Sequence, residues 1–457
     1  MKKLKSLLKI IVALVLVLQL LIVNYSLLIA TAAAEPTPEP TPEPSPTVPA
    51  VSAILIETKS GMVLFDQNSD ERRGMDGLTK LMTLLVAAEA TERGEVGENQ
   101  YITVSETAFA DLNRKSETLK FAAGERMAFR DVLFCAFASG DDACNIIAES
   151  VSGDVEAFVA RMNERALALG CKDTSFASAH GKLDAGTYTT ARDMAKILTE
   201  GLNHPLFLSV ISQYGYRPPD TNMTTERNAS GTNHIISEKS RYYYSYATGG
   251  RVSSTYENGY GAAEVAVREG MTLVAVVLGA KAVIIADNST QYQNLTSARA
   301  LFEWGFRNYA WRTVVNDYEP VAKAAVVYGD GADFVNLRPK YEVTLLLHRL
   351  EPDDVAVREI VVYSARDDTP VTAPVAAGTP YGEMTVSVHG ETLETVPLVA
   401  VTNVELRKLH YIGSRFAEAM WSTPAKLVYL GLFVLLVVYV IIVIRWNKNR
   451  AKKRKKR

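Results

Sequence analysis

Hydrophobic spacing along the chain predicts strands first, then a block of helices, then strands again. Apolar runs at 53–56 and 62–65 flank a Ser60-Gly61 turn signal, which predicts a β-hairpin. Helical spacing begins at Leu78 and continues to about Glu92. Further helical patterns cover 128–138, 142–152, 154–169, 190–202 and 294–308, and strand-like runs cover 242–246, 262–267 and 273–278. This order predicts an α+β domain over residues 51–312.

A second region has a different pattern. Residues 313–402 contain short β-rich runs, such as 343–347 and 383–388, which are separated by turn pairs such as Asp330-Gly331. They predict a small all-β domain. Residues 403–425 are expected to form a helical stalk.

The amino terminus predicts export. Four lysines precede residue 10, an apolar stretch follows from 10 to 23, and small residues occupy 30–34. Together they predict a signal peptide over residues 1–34, with an uncleaved membrane anchor as the alternative. Residues 35–50 have proline at nearly every second position, which predicts a semi-rigid polyproline linker.

The carboxyl terminus predicts a membrane anchor. Leu427 to Ile444 is a run of 18 residues without a charge, and nine basic residues follow from Arg445 onward. The run is long enough to cross a bilayer, so a transmembrane helix is expected over 426–445. The basic tail, 446–457, is then expected in the cytoplasm and the body of the protein outside the cell membrane.

Composition and charge sharpen this view. A 48% hydrophobic content excludes wholesale disorder, and three cysteines exclude a disulfide-stapled miniprotein. The net charge of −2 conceals a segregation, because residues 35–425 hold 35 basic groups against all 51 acidic ones, a balance of −16. An acidic exported body argues against nucleic acid as a partner. No metal site and no cofactor are expected, because no Cys/His cluster has ligand spacing.

Several motifs in the exported part resemble one enzyme family. They are Leu78-Thr79-Lys80-Leu81-Met82-Thr83, Ala138-Ser139-Gly140-Asp141-Asp142, Ala179-His180-Gly181, Gly231-Thr232-Asn233 and Ala247-Thr248-Gly249. In this order they resemble the serine D-alanyl-D-alanine carboxypeptidases, the low-molecular-mass penicillin-binding proteins of peptidase family S11. The resemblance covers about residues 51–402. It implies a penicillin-binding/β-lactamase-like transpeptidase fold, with helices packed on an antiparallel sheet and a β-rich domain after it.

The resemblance also implies a mechanism that needs three motifs around one cleft. In SxxK the serine attacks the peptide carbonyl and the lysine is its base. In SxN the serine and asparagine complete the proton path and hold the substrate, and in KTG the lysine and threonine bind the terminal carboxylate. The substrates implied are peptidoglycan stem peptides.

The chain departs from all three motifs. Gly77 stands where the nucleophilic serine belongs, Ala247 where the KTG lysine belongs, and Asp141 where the SxN asparagine belongs. A glycine has no nucleophile, so the acyl-enzyme route is closed. The catalytic remnants are Lys80 and Ser139, and the expected substrate-binding remnants are Asp141, Thr248 and Gly249.

The retained lysine has two interpretations. Either Lys80 pairs with Asp141 in a partly buried ion pair, which links the two substitutions, or it stays solvated in a water-filled cleft. The cysteines are interpreted as core residues, and His180 as structural.

Three functions follow from the sequence. The first is a membrane-anchored pseudoenzyme of peptidoglycan metabolism that binds stem peptides or a cell-wall enzyme. The alternative is an active D-Ala-D-Ala carboxypeptidase that trims pentapeptides. The third is a structural spacer that holds the first domain above the membrane.

Overall fold

The computed structural model describes residues 43–114, 116–182, 186–255 and 257–454, together with residue 19. The predicted signal peptide, apart from that one residue, lies outside the described residues, as does the first half of the predicted linker. The chain divides into two compact units. The first runs to Tyr309 and includes His348–Leu350, and the second comprises Ala310–Leu347 and the chain from Glu351 onward.

The first unit combines helices with antiparallel strands. Its helices are α1 (Thr79–Glu92), α2 (Phe129–Ala138), α3 (Asp141–Ser152), α4 (Val155–Ala168), α5 (Ala191–Gly201), α6 (Pro205–Ile211) and α7 (Gln293–Asn308). Its strands are β1 (Ser52–Glu57), β2 (Val63–Gln67), β3 (Tyr101–Thr103), β4 (Arg126–Ala128), β5 (Ala247–Thr255), β6 (Gly259–Arg268), β7 (Met271–Ala280), β8 (Ala282–Ile284) and β9 (Thr290–Tyr292).

Five of these strands form the central sheet, in the order β2-β1-β7-β6-β5. Neighbouring strands are antiparallel, with Leu55 opposite Ala275 between β1 and β7, and Val252 opposite Ala262 between β5 and β6. Strand β5 therefore forms one edge of the sheet. Its free edge is the part of the sheet that borders the functional site.

Helix α1 is the central helix of the first unit. Every residue from Thr79 to Ala90 is buried, which is typical of a helix that is surrounded by other elements rather than packed on one face. Its apolar side chains belong to a continuous core with Phe129 of α2 and Phe158 of α4. Because the helix is buried on all sides, Lys80 in its first turn is a buried charge that needs a partner.

The sequence-based elements of this unit are confirmed with one exception. The hairpin, the helices and the strands over 262–267 and 273–278 are present. The strand predicted over residues 242–246 is wrong: these residues form turns, and β5 begins only at Ala247. Alternating tyrosines produced the strand pattern. In the structure Tyr244 stacks on Phe302 and Tyr246 contacts Phe306, so the tyrosines serve as packing against α7.

The second unit is β-rich. Its strands are β10 (Tyr309–Val315), β11 (Ala322–Val327), β12 (Phe334–Pro339), β13 (Val343–His348), β14 (Ala356–Val362), β15 (Val371–Thr372), β16 (Pro380–Val388) and β17 (Glu391–Ala400), with a one-turn helix α8 (Tyr363–Arg366). Six strands form a sheet in the order β14-β16-β17-β12-β11-β15. Alternate residues of β16, such as Met384 and Val386, point into its core, as the period of a half-buried strand requires.

Two helices end the described chain. Helix α9 (Lys408–Trp421) has no buried residue, and α10 (Thr423–Arg454) follows after a break at Ser422. The segment Thr423–Lys448 of α10 is long and apolar enough to cross a membrane.

Candidate active-site cleft

A cleft of about 250 Å³ lies in the first unit, where the start of α1, the start of α3 and strand β5 meet. Its charged lining residues are Lys80, Glu117, Asp141, Lys182 and Arg251. Gly77, Val252, Ser253, Ser254 and the aromatic residues Tyr260 and Tyr292 also line it. The SxxK and SxN remnants therefore meet at one cleft.

Gly77 belongs to a 3-10 turn, Asp76–Leu78, that leads directly into α1. A Cβ atom built on Gly77 would lie 3.6 Å from the Val252 oxygen, 3.7 Å from Arg251 Nη2 and 3.8 Å from Ser253 Cβ. These are ordinary van der Waals distances, so a small side chain fits at position 77 without a clash. The space that a serine needs is present, although the serine is not.

Lys80 and Asp141 form a buried ion pair. The Lys80 Nζ lies 2.8 Å from Asp141 Oδ1, and the two side chains are 2% and 0% exposed. The other carboxylate oxygen, Oδ2, accepts the Glu117 N–H at 2.7 Å, and the Asp141 N–H donates to the Glu117 carbonyl at 2.7 Å. The ion pair predicted from the sequence is present, and the alternative interpretation of a solvated Lys80 is wrong. A lysine held as an ammonium in this ion pair is not available as the base that would deprotonate a hydroxyl.

Arg251 is the second buried cation of the cleft, and it comes from β5. Its Nε donates to the Gly77 carbonyl, and its Nη1 donates to the carbonyls of Phe137 and Ala138 at the end of α2. The residue is 6% exposed. Burial lowers the pKa of the guanidinium, which nevertheless remains charged because arginine titrates far above neutral pH.

The remaining predicted residues lie elsewhere. Ser139 caps the end of α2 and does not line the cleft. Neither do Ala247, Thr248 and Gly249: a β-bulge lies between Ala247 and Gly249, the Thr248 hydroxyl donates to the Val265 carbonyl at 3.5 Å, and a Cβ on Gly249 would meet the Ile211 oxygen at 2.7 Å. The prediction that Thr248 and Gly249 contact substrate is therefore not supported by their positions.

The strand residues that face the cleft come four positions later. Arg251, Val252, Ser253 and Ser254 line it, and the first of them contacts the carbonyls just before the SxN remnant. Arg251 is not recognisable from the sequence, because Ala247-Thr248-Gly249 matches the family motif better letter by letter. An arginine directly after a glycine pair is a weak local signal, and the contacts of Arg251 with the Gly77, Phe137 and Ala138 carbonyls identify its place.

Other nucleophiles in this region lack activation. Thr79 is fully buried and does not line the cleft. Burial raises the pKa of the Cys144 thiol to about 12, so it stays protonated at neutral pH. Ser253 and Ser254 line the cleft, but within the described part of the chain no hydrogen bond joins either hydroxyl to a general base. The cleft thus lacks an activated nucleophile among these residues.

Two further carboxyl groups are buried close to the cleft. Burial raises the pKa of Glu264 well above its usual value, while Asn233 donates to its Oε2 at 2.8 Å. Burial also raises the pKa of Asp142, although the N–H groups of Leu119 and Phe121 donate to it and oppose the shift. Both residues serve to fix the strand and loop that surround the cleft.

One cluster of metal-ligand type occurs in the described ranges. It consists of Glu89, Glu200 and His204, whose ligand atoms lie within 4.8 Å of one another. The Arg165 guanidinium contacts both carboxylates, at 2.6 Å from Glu89, and Arg93 lies 3.5 Å from Glu89, so two guanidinium groups balance the two carboxylates. None of these residues lines the cleft, so we interpret the cluster as an ion-pair network.

The turn that carries Gly77 depends on a close approach at Gly181. This glycine has φ +83°, and a Cβ there would lie 2.0 Å from the Asp76 oxygen. We expect Gly181→Ala to lower the free energy of unfolding by about 2–4 kcal/mol, because it adds both backbone strain and a clash. Gly153→Ala is the matched control, with φ +86° but no atom within 4 Å. Equal losses in chemical denaturation of the two variants would contradict the close approach.

Helices on an antiparallel sheet, with a lysine at the start of a buried helix and a sheet-edge strand beside it, define the penicillin-binding class of fold. The similarity extends to known proteins. The family description "D-alanyl-D-alanine carboxypeptidase" matches residues 39–282, and "Penicillin-binding protein 5, C-terminal domain" matches 309–406. The chain belongs to the peptidase S11 D-alanyl-D-alanine carboxypeptidase family.

Individual relatives agree with this assignment. The D-alanyl-D-alanine carboxypeptidase DacF of Bacillus subtilis is 29% identical over 353 residues, which cover 77% of this chain and 85% of DacF. DacC of Escherichia coli is 28% identical, over 79% of this chain and 85% of DacC. Penicillin-binding protein 5 of Haemophilus influenzae matches in structure with a TM-score of 0.59 and 22% identity, over 79% of this chain and 99% of that one. The last match shows the fold alone.

Proposed function

We propose that this protein is a membrane-anchored pseudoenzyme that binds peptidoglycan stem peptides without cleaving them. One observation carries the proposal: glycine occupies the nucleophile position, three residues before a lysine whose ammonium is neutralised by Asp141 at 2.8 Å. Loss of the nucleophile from a cooperative catalytic set costs about 10⁶ in rate. The cleft itself is open, so the binding function remains available.

The strand that borders the cleft supports the same proposal. We assign Arg251 and Val252 to the places of the KTG lysine and threonine, because they lie where β5 meets the other two motifs. The positive charge is then kept as arginine, while the threonine hydroxyl is lost. A strand that keeps the positive charge but lacks the hydroxyl favours ligand binding over catalysis.

We further propose that the chain is held at the outer face of the cell membrane. Helix α10 supports a membrane anchor by its length and composition, and the basic residues after it favour a cytoplasmic tail. Residues 51–312 would form the carboxypeptidase-like domain, 313–402 the β-rich domain and 403–425 the stalk. The predicted signal peptide would direct export.

Covalent labelling tests the absence of catalysis. We expect no fluorescent band when the full-length chain, purified in detergent micelles, is incubated with a fluorescent penicillin and separated on a denaturing gel. Without a nucleophile, no acyl bond survives denaturation. A stable adduct on the wild-type chain would overturn the proposal and favour the active carboxypeptidase that the relatives' names suggest.

Retention on purified peptidoglycan sacculi tests the binding function. The full chain should sediment with sacculi, and a soluble peptide ending in D-Ala-D-Ala or D-Ala should compete. Lys182→Gln alters the cleft, whereas Arg241→Gln alters a surface cation that pairs with Asp287. Only the first should weaken retention. No retention at all would favour a spacer, or a protein partner in place of the wall.

A further inference from the structure

The cleft has a second side, on the face of strand β5 that points away from Gly77. Arg251 and Ser253 are the strand residues that approach position 77, where a Cβ would lie 3.7 Å from the first and 3.8 Å from the second. Because successive side chains of a strand point to opposite faces, Ser254 points away from position 77. Tyr260 of β6 is paired with Ser254 and shares its face. Both residues nevertheless line the cleft, which therefore continues past the Gly77 side.

Two tyrosine rings form much of this second side. The ring centroids of Tyr260 and Tyr292 lie 5.1 Å apart, with the ring planes inclined at 51°. Asn294 and Leu295, in the first turn of α7, line the cleft as well. We call these four residues the tyrosine wall. The wall contains no carboxylate, ammonium or guanidinium group, which favours a neutral ligand over a charged one.

Asn294 brings a buried acceptor to the wall. The residue is 2% exposed, and its Nδ2 donates to the Gly261 carbonyl at 2.7 Å. This bond fixes the orientation of the amide, because a carbonyl can only accept. The Asn294 Oδ1 is buried and has no hydrogen-bond partner among the described residues. A buried acceptor without a donor is rare and costly, so an N–H or O–H group that enters the cleft beside Asn294 would supply the missing bond.

A second cavity, of about 330 Å³, adjoins the tyrosine wall. Leu295 lines both cavities, so the two are neighbours. Thr296 and Arg299 of α7 also line the second cavity, together with Tyr242, whose ring centroid is 6.0 Å from that of Tyr292. The rings therefore continue from one cavity into the next, and the surface has room for a chain of ligand units rather than for one.

These features together describe a ligand of one chemical class. Aromatic faces are partly negative and attract the weakly positive C–H groups on the face of a sugar ring. The hydroxyl groups of Tyr260, Tyr292 and Ser254 have no protein partner among the described residues and can bond to sugar hydroxyls. An acetamido group offers an N–H donor and a methyl group in one substituent, which matches an acceptor on Asn294 next to the apolar Leu295. A chain of N-acetylated sugars meets all these requirements.

We propose that the tyrosine wall binds the N-acetylated glycan strand of peptidoglycan, at a site separate from the stem-peptide site beside Gly77. The proposal rests on the proposed function for the identity of the polymer. The two sites can still be tested apart, because a chito-oligosaccharide contains the sugar and no peptide.

Calorimetric titration of the full-length chain with triacetylchitotriose tests the glycan site. The chain is kept in micelles of a detergent whose head group contains no sugar. The matched probe is cellotriose, the same β-1,4-linked chain with hydroxyl groups in place of the acetamido groups. We expect triacetylchitotriose to bind at least about tenfold more tightly, because only the acetamido group combines a donor with a methyl group that packs on Leu295. Equal affinities, or no binding of triacetylchitotriose, would overturn the inference.

Variants locate the site. Tyr292→Leu removes a ring but keeps an apolar side chain, and it should weaken triacetylchitotriose binding at least about tenfold. Tyr101→Leu is the matched control, because Tyr101 lies on β3, is 66% exposed and does not line the cleft. Its affinity should equal that of the wild-type chain. Equal weakening in the two variants would contradict the assignment to the tyrosine wall.

The role of Asn294 has its own variant. Asn294→Ala should remove most of the preference for triacetylchitotriose over cellotriose, and an unchanged preference would contradict the role of its amide. The unfolding temperature is measured first, because this variant also loses the bond to Gly261. If it does not fold, Tyr260→Leu carries the test, and its affinity for triacetylchitotriose should fall as that of Tyr292→Leu does.

Sedimentation with purified sacculi separates this inference from the proposed function. Failure of triacetylchitotriose to bind, while a D-Ala-D-Ala peptide still competes for retention, would overturn the glycan site and leave the stem-peptide site intact. Binding of triacetylchitotriose that Tyr292→Leu abolishes would support the glycan site even if no peptide competes, and the lack of peptide competition would then contradict the proposed function alone.

Discussion

We expect the variant Gly77→Ser/Asp141→Asn/Arg251→Lys/Val252→Thr to gain covalent labelling by a fluorescent penicillin, at least about a thousandfold above the wild-type chain. The serine restores the nucleophile in a position with ordinary van der Waals clearance. The asparagine replaces the carboxylate that pairs with Lys80 by a neutral amide, so that the lysine can serve as the base in its amine form. Lysine and threonine restore the strand groups that face the cleft.

The matched control places the strand substitution four residues earlier. Gly77→Ser/Asp141→Asn/Ala247→Lys restores the motif by its letters but leaves Arg251 and Val252 unchanged. We expect it to label far more weakly, because Ala247 does not line the cleft. Mass spectrometry should locate the adduct on the peptide that contains position 77. Stronger labelling of the control than of the first variant would contradict the assignment of the strand positions.

The second large effect concerns the stability of the buried ion pair. Lys80→Met should lower the free energy of unfolding by about 3–5 kcal/mol, because it leaves the fully buried Asp141 carboxylate without its counter-charge. Asp141→Asn should cost less, since the amide oxygen still accepts from the ammonium. Chemical denaturation of the full-length chain measures both losses.

The double variant Lys80→Met/Asp141→Asn completes the cycle. With both charges gone, its loss should be smaller than the sum of the single losses by roughly 0.5–3 kcal/mol, which is the range of coupling energies for residues in contact. Additive losses would show that the two groups do not interact. Lys182→Met is a suitable control for the loss of a lysine, because its side chain is 16% exposed and its partner Glu117 is 57% exposed.

The fold could largely be predicted from the sequence because its signals are local. The apolar spacing that begins at Leu78 predicts the bounds of α1 to within one residue, and the Ser60-Gly61 turn signal predicts the hairpin. The tyrosines at 242–246 predict a strand that is absent, because their alternation reflects packing against α7 rather than strand pairing. Local pattern cannot distinguish these two causes.

The site could be predicted only in part. The resemblance to the SxxK motif identified Gly77 as the residue three positions before Lys80, and charge balance suggested the Lys80–Asp141 pair. The strand positions depend on the register of β5 and on its bulge, which are set by contacts with residues far away in sequence. Arg251 meets Phe137 and Gly77 across separations of 114 and 174 residues. No short motif encodes such distances.

The neutralised lysine also limits how the chain can change by single steps. Gly77→Ser alone supplies a hydroxyl beside an ammonium that is still engaged with Asp141, and Asp141→Asn alone weakens a buried pair and supplies no nucleophile. Neither substitution alone therefore brings new chemistry, and Asp141→Asn also costs stability. The Lys80–Asp141 ion pair therefore makes any gain of hydrolytic activity depend on several substitutions made together.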